Sequence, residues 1–466
     1  MLDEKRDFLY NVGVRNTLNL NKEKTKMKKI VSILMVTALL VLGMVALTSC
    51  GDEHAHTFAE KWSSDAENHW HAATCEHTDE ISEKAAHEWN AGEITTAPTC
   101  VDGVKTYTCT VCNATKTEKA DKTAEHTYAG GELVYVVEDG KVYSKAVCDV
   151  CEGVASDKVE VANATIVNTA EEAQAALDAT DTGVIYLNAS INYGTLYLRV
   201  DPQTDREVVV GNWAGGHNMY FREVNGVTIT GVKGATLDNV KVEAREYTAS
   251  GNQHSNSETY PILRGFISIK DLAFEGITFS GKEIAIDITG NIAVDGLTFN
   301  KCEIKDATGE NVRLIYRSGK TYSYTDDTTG EVFITTSVKN ITVNECIIGS
   351  IYQGLELRQT ENVTITNNTF KGVEKQNILL TVDGGTYAGT ITISGNTATN
   401  LGERFLRATG LGDATVTITN NTVNKYAGAD SDYIKITGAN SEKTTVEGNT
   451  VTPLDWNRGE LTITVQ

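Results

Sequence analysis

Val363-Thr-Ile-Thr-Asn-Asn-Thr-Phe370 is one copy of a motif that returns as Ile391-Thr-Ile-Ser-Gly-Asn-Thr-Ala398, Val416-Thr-Ile-Thr-Asn-Asn-Thr-Val423 and Thr444-Thr-Val-Glu-Gly-Asn-Thr-Val451. Weaker copies are Leu297-Thr-Phe-Asn-Lys-Cys-Glu-Ile304 and Ile341-Thr-Val-Asn-Glu-Cys-Ile-Ile348. Val227-Thr-Ile and Ile277-Thr-Phe open two more. Most intervals lie between 20 and 28 residues, the mark of a solenoid, and the two long ones, 50 and 44, read as a rung plus an insertion. Alternation points Val363 and Ile365 inward and Thr364 outward. No Asn-Gly hairpin joins the copies, so the strands are expected to stack in parallel, one per rung. The sixth position then forms a column of Cys302, Cys346, Asn368, Asn396, Asn421 and Asn449. Stacked about 4.8 Å apart, buried Asn side chains bond one another and the turn backbone. That role accounts for the Asn-x-Thr tripeptides better than glycosylation does. Cys302 and Cys346 read as buried thiols, with a cross-rung disulfide as the alternative.

A helix is expected from Thr169 to Ala179. Thr169 caps it, Glu172 completes a capping box, and Ala173, Ala176 and Leu177 form its apolar face. Such a helix covers the exposed end of a solenoid. Val184 to Leu198 alternates as the first strands. Proline is scarce, at 4 residues, as long strand ladders require. The fold class is therefore all-β. With its helix cap and Val-Thr-Ile-x-x-Asn rungs, the chain from residue 159 to 466 resembles the right-handed parallel β-helix superfamily of pectin-lyase-like proteins. The resemblance implies the fold. It implies no single activity, because that fold hosts lyases, hydrolases, esterases, adhesins and phage fibres.

Residues 51–158 form a second region, rich in Cys and His. His56-Thr-Phe58, His87-Glu-Trp89 and His126-Thr-Tyr128 each open a segment that ends in a cysteine knuckle: His69-Trp-His71 leading to Cys75-Glu-His77, then Tyr107-Thr-Cys109 with Cys112, then Cys148 with Cys151. Segments this short need staples. Cys109, Cys112, Cys148 and Cys151 make a C-x2-C … C-x2-C pattern which, with histidines nearby, suits a structural zinc ion; disulfides in an exported protein, or free thiols, are the alternatives. These segments resemble the His/Cys repeats found behind the lipid-attachment site of surface proteins in anaerobic gut bacteria. That likeness implies a spacer.

Export is expected from Met27 to Cys50. Lys28 and Lys29 precede an apolar run from Ile30 to Ala46, and Leu47-Thr-Ser-Cys50 resembles the bacterial lipobox. It implies lipidation of Cys50 and a membrane anchor on an exported protein. Residues 1–26 precede a better start at Met27 and are set aside. The net charge of −21, with no basic block after the signal, argues against nucleic acid as a partner.

The strand after each Asn corner offers outward residues: Asp287, Tyr316, Glu356, Arg358, Thr381, Asp383, Arg407 and Lys435, with Arg317 and Arg404 close by. A solvated face of alternating charge explains them. So does a groove for an extracellular polysaccharide or host glycan. A lyase would use Arg407 or Lys435 as base beside a carboxylate neutralised by Arg or Ca²⁺. Hydrolysis would pair Glu356 with Asp383. The clustered aspartates with a Gly-His-Gly turn are absent, as is the Ca²⁺-acid pattern of pectate lyases; Gly215-Gly-His217 is a faint echo. Insertions at 241–264, with Tyr247, His254 and Tyr260, and at 318–333, with Tyr322, Tyr324, Asp326 and Asp327, are placed to roof the groove or to pack on the coil. Trp213 and His217 sit in another long connection. Glycan binding is the first reading. A lyase or hydrolase and an adhesin or stalk are its rivals.

Overall fold

The computed structural model describes residues 55–77, 79–201, 204–209, 218–246, 265–288, 291–309, 312–317, 321–382, 389–427, 432–453 and 461–466. Cys50, Trp213, His217, Tyr247, His254, Tyr260 and Asp383 lie outside the described residues.

Contacts divide the chain into two units, one of residues 1–97 and 103–120, the other of residues 98–102 and 121–466. The first holds two small antiparallel sheets. One is Ser63–Ser64, Asn68–Ala72 and Ile81–Ala86, and the other is Glu93–Thr96, Gly103–Thr108 and Thr115–Ala120. The second unit begins with the hairpin Leu133–Glu138 and Lys141–Ala146. Tyr135, Val137 and Val142 pack there against Val184 and Tyr186 of the first coil. The division expected at 158/159 thus falls inside this unit.

The rest of the second unit is a stack of parallel rungs. Each runs from a first sheet through a second to a third, as in Thr360–Thr366, Thr369–Lys371 and Ile378–Thr381. Alternation decides what is buried: Val363 and Ile365 are 0 % exposed, and they stack on Ile391 and Ile393. The helix Ala170–Ala179 is capped by the Thr169 hydroxyl, which accepts from the Glu172 N–H at 3.2 Å, and the Glu172 carboxylate accepts from Asn168 N–H. Ala173, Ala176 and Leu177 face the coil. Among the described residues, one strand of the coil precedes this helix, because Ala164–Val167 pairs in parallel with Gly183–Leu187.

The Asn column is a continuous ladder. Asn368 donates its backbone N–H and Nδ2 to Asn396 Oδ1, both at 2.9 Å. Asn396 does the same to Asn421, and Asn421 to Asn449. Each Nδ2 also reaches a core-strand carbonyl, such as Ile365 for Asn396. Cys302 and Cys346 are free thiols that donate to Phe274 and Phe299 carbonyls, the places an Asn amide would fill. The residue before each column member bends the chain through positive φ: Lys301, Glu345, Asn367, Gly395, Asn420 and Gly448. Register corrects one expected start. Leu272 pairs with Val227 and Leu297, so Ile277 sits at the column position, not at a rung start.

The insertion after 317 forms an antiparallel pair, Ser323–Thr325 with Val332–Thr335. Tyr324 and Phe333 pack on Phe266, on the outer face of the first sheet, with ring centroids 4.7 and 5.0 Å away. This insertion therefore packs on the coil.

Asn396→Ala leaves the Asn368 N–H and the Ile365 carbonyl buried without partners. It should cost about 3 kcal/mol in denaturant unfolding, while Thr392→Ala on the outward side should change stability by less than about 0.5 kcal/mol. A pH effect is expected at Glu275. Burial raises its carboxyl above 4.5 against the Asn300 amide that donates to it. The folded state then holds the proton more readily than the unfolded chain, so stability falls as pH rises through that window. Glu275→Gln should raise Tm at neutral pH, with the gain gone below about pH 4.

Candidate functional site

Two sets of side chains converge before residue 152. His69, His87, Cys109 and Cys112 form one, and Cys100, His126, Cys148 and Cys151 the other, each with its ligand atoms within 4.8 Å of one another. The sequence groups the two C-x2-C pairs together. The structure separates them and completes each pair with two other ligands, of which His69, His87, Cys100 and His126 were absent from the expected set. The knuckles share a backbone: Asn113 N–H bonds Cys109 O and Glu152 N–H bonds Cys148 O, with Asn113 and Glu152 both at positive φ.

The separations of the donor atoms suit a tetrahedral ion. Tetrahedral zinc, with bonds of about 2.3 Å to sulfur and 2.0–2.1 Å to nitrogen, sets its ligands roughly 3.5–3.8 Å apart. Cys112 Sγ lies 3.3 Å from His87 Nδ1, Cys109 Sγ 3.9 Å from His69 Nδ1, and Cys151 Sγ 3.3 Å from His126 Nδ1. Cys100 Sγ and Cys148 Sγ are 3.6 Å apart, well beyond a disulfide bond of about 2.05 Å. His87 Nε2 meets the Asp65 carbonyl at 2.9 Å, which leaves Nδ1 to face the sulfurs. Burial opposes ionisation of Cys109, but the N–H groups of Cys112 and Val111 and the His87 ring outweigh it and hold the thiol at about 6. Cys148 is held at about 5, the N–H groups of Val150 and Cys151 outweighing burial. Cys100 is pushed up to about 11, first by its bond to Cys151 and then by burial. A third, smaller group is His56, Cys75 and His77.

On the coil, the third sheet carries an outward column in register: Lys241, Asp287, Tyr316, Glu356, Leu379, Arg407 and Lys435. Leu379 interrupts the expected polar series. Arg358 and Thr381 stand in the next column. Glu356 is 5 % exposed, with Oε1 held by Arg358 at 2.9 Å and Oε2 by Arg313 at 3.2 Å. The Arg313 guanidinium also lies over the rings of Tyr316 and Tyr352, at 5.2 and 5.3 Å. Gln353 is buried beside them, and its Nε2 has no partner. Alternation could not find Arg313, Tyr352 and Gln353, because they lie in the corner before the strand. Arg404 is committed to Asp432 at 2.9 Å, and Lys435 approaches the same carboxylate at 3.6 Å. Arg317, expected beside the outward residues, is buried between Ile288 and Leu357 because its strand position faces the core. Arg407 is exposed and has no ion-pair partner among the described residues. Among the described residues, every grouping able to hold a metal lies before residue 152, so a Ca²⁺ site on this face has no described ligand set.

Residues 225–451 match the family model described as the right handed beta helix region. This part of the chain is a right-handed parallel β-helix. No curated protein matches the chain. One solved structure that it resembles is ORF18 of Geobacillus virus E2, at 9% identity and a TM-score of 0.28, covering 71% of this chain and 70% of that one.

Proposed function

We propose that this protein is a cell-surface lipoprotein whose β-helix binds an extracellular polysaccharide or host glycan along the outer face of its third sheet. One observation carries the reading: the in-register face from Tyr316 to Lys435. It combines an aromatic ring at Tyr316 with an uncommitted guanidinium at Arg407, and the corner beside it holds Gln353, a buried amide with an unused donor. Rungs repeat about every 4.8 Å, close to the rise of an extended sugar chain, so successive residues meet successive parts of one polymer. Binding is favoured over hydrolysis because both Glu356 oxygens are taken by guanidinium groups. The Leu47-Thr-Ser-Cys50 signal supports lipidation of Cys50, and the two four-ligand sets support zinc in the spacer modules.

The glycan reading is tested on a panel of acidic and neutral polysaccharides, following both binding and new reducing or unsaturated ends. Retention without turnover is expected, with Tyr316→Ala or Arg407→Ala weakening it at least tenfold. Turnover that is lost in Arg407→Ala would make the protein a lyase or hydrolase. Neither binding nor turnover on any glycan would leave an adhesin or stalk. Elemental analysis of the full chain should find zinc, and zero metal with no titratable thiols would replace zinc by disulfides. Mass spectrometry of the protein made in a bacterial host should place a lipid on Cys50, and an unmodified Cys50 sinks the anchor.

A further inference from the structure

The two four-ligand sets obey one rule of spacing. In each, three ligands belong to a single repeat: its opening histidine, His87 or His126, and the C-x2-C pair that starts 22 residues later. The fourth belongs to the repeat before. His69 follows His56 by thirteen residues, and Cys100 follows His87 by the same interval. The third group plays the same three parts at a shorter spacing: His56 opens its repeat, and Cys75 and His77, 19 and 21 residues on, form a C-x-H knuckle in place of C-x2-C. Cys75 Sγ lies 3.5 Å from His56 Nδ1 and 3.9 Å from His77 Nδ1, the separations found in the complete sets. The two rings meet edge to face with centroids 5.2 Å apart.

We propose that each of the first two repeats hands its thirteenth-position ligand forward to the metal of the next repeat, and that His56, Cys75 and His77 hold a third zinc-like ion at the head of the series. The proposal rests on reading the four-ligand sets as metal sites. An ion bound wholly within one short repeat would stabilise that repeat alone. A ligand handed forward couples neighbours, so that folding one repeat favours the next, as interfaces do in repeat proteins. The mixed nitrogen and sulfur donors select a borderline ion such as Zn²⁺. Three protein ligands at the head leave one position for water or a donor from outside the repeats.

The full chain, purified in detergent and loaded with zinc, tests this by elemental analysis and by thiol alkylation read by mass spectrometry. Three ions are expected, and His77→Ala should leave two. His126→Ala should expose Cys100 together with Cys148 and Cys151, and His126→Cys should restore their protection. His87→Ala should expose Cys109 and Cys112 and leave Cys100 protected. Exposure of Cys100 in His87→Ala instead of His126→Ala overturns the forward hand-off. Two ions in the unsubstituted protein overturn the third site alone. No bound metal, with alkylation unchanged by a chelator, overturns the metal reading beneath both.

Discussion

Every rung of this coil turns a corner, and each corner takes backbone amides out of the sheets. Buried amides must be paired, and a carboxamide column pairs them. Asn396 shows the economy: one side chain accepts from the backbone and side chain of Asn368, and donates to Asn421 and to the Ile365 carbonyl. The ladder also fixes register. A slip of one residue would turn Ile365 outward and break bonds to both neighbouring rungs. The corner needs positive φ just before the column, so Lys301 and Glu345 adopt it at a strain of roughly 1–2 kcal/mol, while Gly395 and Gly448 adopt it freely. Where cysteine replaces Asn, the thiol keeps a weak donor on the same carbonyl position.

The strong copies after residue 363 are legible because inward packing and the Asn ladder act on the same eight residues. The earlier copies are less so. Ile277-Thr-Phe279 imitates a rung start, while the true start, Leu272-Ala-Phe274, lacks the threonine. Only pairing with Leu297 decides between them. The Cys/His sets show a different failure. A C-x2-C pair is visible locally, but its partners depend on where hairpins bring distant residues. The interval of thirteen residues was present in the sequence, and aligning the repeats on their opening histidines is the signal that would have shown it.

On the third sheet, alternation located the column but not its chemistry. It could not see that Arg313 reaches from the corner to Glu356, or that Arg317 sits at an inward position. A carboxylate clamped by two guanidinium groups is a fixed charge pattern. Both Glu356 oxygens are engaged by guanidinium groups. Arg407, two rungs on, is an exposed cation with no ion-pair partner among the described residues.

The two regions solve one problem at different scales. A rung is not stable alone; it borrows its hydrogen bonds and its core from the rungs above and below, and the Asn ladder passes that dependence along the stack. The short repeats have too little apolar area to borrow in the same way, and a Cys/His cluster able to hold a metal stands where the shared core would. In both, one residue per repeat reaches into the next: Asn396 to Asn421 in the coil, Cys100 to Cys148 and His126 in the modules. Stability in such a chain is a property of neighbours, so a single substitution at a linking position is expected to loosen two repeats, and one elsewhere to loosen its own.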